Sequence, residues 1–164
     1  MIDFDKVEAH NVGTQTYTES DVGMFKVEAL QAEMFRAVEV EIIAMRQKLT
    51  ERNVKKLLKE ADLVIDGFDN HAARALVTEY CRDTSIPCLH VGLSADYAEV
   101  VWNEHYSVPH DTIEADVCDY PMARNLIQFA VALASEAVVR FVLEEQWENY
   151  SFTLRDLQVT FHKD

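Results

Sequence analysis

The chain has 164 residues, a formal net charge of -14 and a pI near 4.7. That length suits one domain with a substantial core, and an apolar content of 49% excludes a disordered chain. The acidic balance argues against a sequence-independent grip on nucleic acid and against an anionic membrane surface, because both need clustered Lys and Arg. An anionic ligand is still compatible, since backbone N–H groups and a few placed cations hold phosphate in acidic proteins.

Met1 to Val7 reads as a short strand, with neither a basic start nor an apolar run typical of a signal peptide. His10 to Glu19 is a polar, Thr-rich loop. Ser20 and Asp21 are candidate caps for a helix over Val22 to Arg36, with Phe25, Ala29, Ala32 and Phe35 at helical spacing. Val38 to Met45 is β-branched and predicts a strand. Thr50 is expected to cap a short basic helix, Arg52 to Glu60. Leu63-Val64-Ile65 predicts a central parallel strand buried on both faces, with Gly67 allowing a turn at its end.

Asp69 is the expected cap of the next helix, Asn70 to Arg82. Pro87 opens a strand at Cys88 to Val91, and Ala98 to Trp102 predicts another. Tyr106 to Val117 reads as an irregular acidic loop. Pro121 suits the first turn of a long helix reaching about Glu145. That helix is apolar on more than one face, which fits a core helix, a subunit interface, or both. Charged Glu136 and Arg140 argue against a membrane span. Phe152 to Phe161 reads as a last strand whose alternation shifts phase at Arg155-Asp156, predicting a bulge. The expected fold class is α/β, Rossmann-like, with a mostly parallel sheet and helices on both faces, forming one domain over 1–164.

Three clusters fall at predicted strand ends, where ligands sit in open α/β sheets. They are Asp3 with Asp5, Gly67-Phe68-Asp69-Asn70, and Gly92-Leu93-Ser94. Lys26 lies in the first turn of a helix, where the dipole disfavours a cation unless an anion is near. The three cysteines, Cys81, Cys88 and Cys118, are odd in number and predict a reduced, cytoplasmic setting. Cys81 and Cys88 read as buried apolar groups. Cys118 precedes the long helix and is a conceivable thioester nucleophile, although Asp116 and Asp119 oppose a lowered thiol pKa.

Asp3-Phe4-Asp5-Lys6, Asn11-Val12-Gly13-Thr14-Gln15, Gly23-Met24-Phe25-Lys26 and Asp62 to Asn70 with Arg74 follow one another in an order that resembles the ThiF, MoeB and ubiquitin-activating adenylyltransferase family. The resemblance covers essentially the whole chain. It implies that Asp3 binds the ATP ribose, that Lys26 contacts the ATP phosphates, and that Asp69 serves the Mg-ATP site where a C-terminal carboxylate attacks the α-phosphorus. Asp5, Asn11, Gln15 and Asn70 are further nucleotide-binding candidates by the same resemblance, and Asp3, Lys26 and Asp69 are expected to face one cleft. The implied partners are a ubiquitin-like or sulfur-carrier protein and a second subunit, in a homo- or hetero-dimer.

Three departures qualify these expectations. No Gly-x-Gly-x-x-Gly precedes Asp3, so the family's opening strand, phosphate loop and helix are expected to come from elsewhere or to be missing. Thr14 stands where the family usually carries a phosphate-reaching Arg. The paired zinc-binding cysteines of many relatives are absent, and zinc is not expected. The alternative reading is a degenerate, non-catalytic module for dimerisation or partner binding. A nicotinamide-dependent oxidoreductase is a third, less fitting reading.

Overall fold

The computed structural model describes residues 1–110 and 123–162. The chain divides into two compact units, Met1–Leu49 and Thr50–Asp164.

In the first unit the expected opening strand is reduced to local pairing. Ile2 bridges Met45 in parallel, and Lys6 bridges Phe25 in antiparallel fashion. The Met1 ammonium donates to the Ile43 carbonyl, and Met45 N–H donates back to Met1. Short 3₁₀ turns at Ala9–Asn11 and Glu19–Asp21 replace the expected loop and helix start. Gly23, at φ 90°, supplies the left-handed turn that lets its N–H reach Val7 O at 2.8 Å. Helix α1 then spans Lys26–Val38, later than predicted, with Phe25 at its N-cap instead of Ser20 or Asp21. Its buried residues are Val27 and Ala29, whereas the expected core residue Phe35 is 53% exposed. The helix runs into the predicted strand and ends at Glu39, whose φ of 57° breaks it. Among residues 39–45, Met45 alone forms a β-bridge to another described segment. Val7, Tyr17 and Ala29 form the small core.

The second unit holds α2 (Val54–Leu58), β1 (Val64–Asp66), α3 (His71–Thr84), β2 (Cys88–Ser94), β3 (Tyr97–Trp102), α4 (Ala123–Glu144), β4 (Asn149–Thr153) and β5 (Gln158–His162). The strands form one sheet in the order β1-β2-β3-β4-β5. β1 and β2 are parallel, as expected, with Val64 opposite Cys88 and Asp66 opposite His90. The other three pairings are antiparallel, so the sheet is mixed and mostly antiparallel instead of mostly parallel. Connection length explains two of them. The two residues Ala95 and Asp96 join β2 to β3, and residues 154–157 join β4 to β5, too few for a parallel crossover, whereas α4 lies between β3 and β4 and returns the chain antiparallel. Gly92, Leu93 and Ser94 therefore pair within the β2–β3 hairpin and do not form a strand-end loop.

β1 is not central but outermost in the sheet, and its Ile65 is 56% exposed. The predicted bulge at Arg155-Asp156 is a hairpin turn. Asp156 Oδ1 accepts from Gln158 N–H and from the Thr153 hydroxyl, which closes the turn and reverses the chain into β5. Strand alternation places helices on both faces. Leu89, Val100, Trp102 and Tyr150 pack with Ala134 and Ala137 of α4, and Ala98 and Phe152 pack with Leu126 and Ala130. Cys88 and His90 point the other way, toward Cys81 and Arg74 of α3. Helix α4 is long and apolar enough to cross a membrane by length and composition. Here one side of it covers the sheet, and Arg140 pairs with Glu136 and Glu148.

Candidate functional site

In the first unit, Asp3 and Asp5 belong to the same turn. Asp3 N–H donates to Met45 O at 3.2 Å, and Asp3 Oδ1 accepts the Asp5 N–H at 2.7 Å. The Asp5 carbonyl accepts the Lys26 N–H at 2.9 Å, which sets Lys26 as the first residue of α1. Lys26 Nζ lies 3.9 Å from Asp5 Oδ2. A pair of this kind, with one partner half exposed, contributes about 0–1 kcal/mol. Lys26 can therefore turn to a phosphate at little cost. The N–H groups of Lys26, Glu28 and Ala29 are already taken by the Asp5 and Phe25 carbonyls. A phosphate at this helix start would meet the lysine side chain before those three amides. The residues fit one contact to a nucleotide phosphate, not a multi-amide cradle.

Tyr17 is packed in the same unit. Burial, followed by the Asp3, Glu33 and Asp21 carboxylates, pushes its phenol up to about 12. Asn11 is buried, and its Oδ1 accepts the Glu8 N–H at 2.9 Å. Its carbonyl accepts the Gln15 N–H at 2.9 Å, so Asn11 and Gln15 share one turn. The Thr14 hydroxyl faces into that turn, 3.2 Å from His10 O and 3.3 Å from Asn11 O.

In the second unit, β1 delivers the chain through Gly67 and Phe68 to Asp69 and Asn70. The helix cap is Asn70, not Asp69. Asn70 Oδ1 accepts the Ala73 N–H at 2.9 Å, and α3 begins at His71. Among the described residues, Asp69 Oδ1 accepts a single 3.2 Å bond, from the Asn70 amide, and Asp69 is exposed. Its carboxylate is thus spared the capping duty that the sequence suggested for it.

Behind this turn lies a buried polar network that inspection of the sequence does not single out. Asp66 and His90 are 1% and 0% exposed. Asp66 Oδ2 is 2.7 Å from His90 Nδ1 and 3.7 Å from Arg74 Nη1. Asp66 Oδ1 accepts the Phe68 N–H at 2.9 Å. His90 Nε2 is 2.8 Å from Asn103 Oδ1, and the Tyr106 ring stacks on the imidazole at 3.8 Å. Arg74 donates to the Tyr106 hydroxyl and to Val91 O. The available signal was His90 itself, a titratable residue inside the apolar run Cys88 to Val91.

Cys81 and Cys88 are buried, as expected, and the Cys88 thiol is pushed up by its hydrogen bond to Cys81 and by burial. Cys118 lies outside the described residues.

A family model described as the ThiF family matches residues 1–131. The chain belongs to the ThiF family. Among curated proteins it is 34% identical over 83 residues to the adenylyltransferase and sulfurtransferase MOCS3 of Aedes aegypti, covering 49% of this chain and 19% of that one. It is 30% identical over 93 residues to the SAMP-activating enzyme E1 of Haloferax volcanii, covering 55% and 34%. The ThiF-family chain thus spans about a third or less of the length of these curated relatives. Among solved structures, E. coli MccB with ATP aligns with a TM-score of 0.77 at 18% identity, covering 99% of this chain and 55% of MccB. PaaA aligns with a TM-score of 0.72 at 16% identity, covering 99% and 63%. These structural matches support the α/β fold.

Proposed function

We propose that this chain supplies part of the nucleotide-handling machinery for ATP-dependent adenylation of a protein C-terminus. The acceptor is a ubiquitin-like or sulfur-carrier protein. In this reaction a terminal carboxylate oxygen bonds to the α-phosphorus of ATP. The bond from that phosphorus to the bridging oxygen breaks, and pyrophosphate leaves. Asp3 holds the ribose hydroxyls and Lys26 the phosphates, with Asp5, Asn11, Gln15 and Asn70 in supporting positions. Asp69 would hold the Mg²⁺ that accompanies ATP, which would neutralise phosphate charge during the transfer.

The observation that carries this reading is the state of Asp69. An exposed carboxylate at the end of β1, relieved of capping by its neighbour, is available to a ligand. Membership of the ThiF family and curated relatives named as an adenylyltransferase and an activating enzyme support the reaction class. A dimer and a cytoplasmic setting belong to the same proposal.

The second reading is a non-catalytic partner-binding module. Two observations favour it for this chain alone. The Thr14 hydroxyl is turned inward where the family usually carries Arg. The N–H groups of Lys26, Glu28 and Ala29 at the start of α1 are taken by backbone carbonyls, which leaves one lysine contact in place of a multi-amide cradle.

Calorimetry separates the two. A phosphate loop adds charge-assisted hydrogen bonds worth roughly 1.5–3 kcal/mol each, so two of them change affinity by about 100-fold or more. The chain alone is expected to bind Mg-ATP weakly. The chain preceded by a glycine-rich strand, loop and helix from a ThiF-family relative should bind it at least about 100-fold more tightly. Lys26→Ala should remove much of that gain. If the longer form binds no ATP, the module reading takes over.

A further inference from the structure

We infer that Asp66 and His90 form a positioning pair that fixes the Asp69 turn. This rests on the role proposed for Asp69. The turn from Gly67 to Asn70 is short and exposed at Asp69, and it lies between a three-residue strand and the first residue of α3. A carboxylate that must hold its place there needs support from a rigid element.

Asp66 provides it with both oxygens. Oδ1 accepts the Phe68 N–H, one residue before Asp69, at 2.9 Å. Oδ2 is held by His90 Nδ1 at 2.7 Å and lies 3.7 Å from Arg74 Nη1. His90 is fixed in turn. Its backbone pairs with Val101 on β3, its Nε2 meets Asn103 Oδ1, and Tyr106 covers its ring. Asn103 is tied back to α3, donating from Nδ2 to Thr78 O at 3.3 Å. The chain of contacts therefore runs from the parallel strand pair and α3 to the one amide that precedes the candidate acid. Neither Asp66 nor His90 is exposed, so neither can touch a nucleotide, and both act through the turn. A buried ionic network of this completeness seldom adds stability over an apolar replacement of the same shape, which points to a geometric role.

His90→Leu keeps the volume and removes both ring contacts, whereas His90→Gln restores one donor toward Asp66. In the intact chain, hydrogen–deuterium exchange resolved at single amides should show Phe68 and Ala73, whose N–H groups are held by Asp66 Oδ1 and Asn70 Oδ1, opening at least about 10-fold faster in His90→Leu. Leu89, Val100 and Phe152 should keep their protection, and His90→Gln should recover most of the loss. In the longer, ATP-binding form described above, His90→Leu should lower kcat for pyrophosphate exchange about 10-fold with KM for ATP within about twofold. An unchanged turn in folded His90→Leu, or exchange rising equally throughout the sheet, overturns the inference. If His90→Leu fails to fold, Asp66→Asn decides. It keeps an oxygen for the Phe68 N–H and replaces the carboxylate oxygen that His90 Nδ1 meets, and should open the same two amides selectively; no change there is equally contradictory. If the wild type shows no pyrophosphate exchange, the adenylation reading fails, and the amide measurement still judges the pair.

Discussion

Asn70 carries both halves of the contact with Asp69 and α3: its amide nitrogen donates to Asp69 Oδ1 at 3.2 Å, while its oxygen accepts the Ala73 N–H at 2.9 Å. The division of labour between these neighbours predicts opposite phenotypes. Asn70→Ala removes the cap and should destabilise the chain by about 1 kcal/mol. Asp69→Ala removes an exposed side chain and should change stability by no more than about 0.5 kcal/mol. Urea titration of both variants checks the order. A larger loss for Asp69→Ala would return the capping role to Asp69.

Alkaline pH tests the packing around Tyr17 and Tyr150. Burial pushes both phenols up to about 12, helped at Tyr17 by the Asp3 carboxylate and at Tyr150 by its hydrogen bond to Glu148. The unfolded chain ionises these phenols near pH 10 and the folded chain two units later. Between those values the folded state binds more protons, so stability falls as pH rises. Stability attributable to these groups should be intact below pH 10 and be lost progressively toward pH 12. Absorbance at the phenolate band should lag behind that of an unfolded reference over the same range. Coincident titration curves would show that the two side chains are not packed as described.

Association is the third expectation. β1 ends the sheet with Ile65 uncovered, and α4 leaves Phe129, Val131, Val139, Val142 and Leu143 exposed. An open strand edge and an apolar helix face both favour pairing. Sedimentation equilibrium should return a mass above the 18.8 kDa of one chain, rising with concentration. Val142→Asp and Ile65→Lys should each weaken association if the corresponding surface is used. A single monomeric species at high concentration contradicts the expectation.

Much of the second unit was legible because its signals are local. The run Leu63 to Ile65, the strand after Pro87 and the apolar length of α4 each fix an element almost regardless of context. What failed was what depends on partners and turns. Thr153, Asp156 and Gln158 close a hairpin whose phase break looks like a bulge when read along one strand. Residues 38 to 45 alternate like a strand, yet α1 extends to Val38 and only Met45 finds a ladder partner. The cap was misplaced by one residue because Asp and Asn are nearly equal in capping preference, and only backbone geometry chooses between them. For the candidate site, Asp69 and Lys26 were nominated by their motifs. Asp66, His90, Asn103 and Tyr106 were not, because their contacts join residues far apart in sequence.

Removing a buried core ring gives a control for the functional variants. Phe152 is 1% exposed and packs with Leu126 and Ala130 of α4. Phe152→Ala should cost about 3–5 kcal/mol. Its loss of activity should follow the unfolded fraction, in contrast to Asp69→Ala. Thermal melts recorded beside each assay check this, and full activity in a half-unfolded sample would contradict it.

The most direct measurement is ATP–pyrophosphate exchange by the chain carrying a glycine-rich strand, loop and helix ahead of Met1, with Mg²⁺ and a ubiquitin-like or sulfur-carrier protein. Wild type should exchange, and Asp69→Ala should lose at least about 100-fold in rate, equivalent to about 2.7 kcal/mol of barrier, with its melting temperature preserved. Exchange that is undiminished in Asp69→Ala, or absent from the wild type, would contradict the role assigned to this acid.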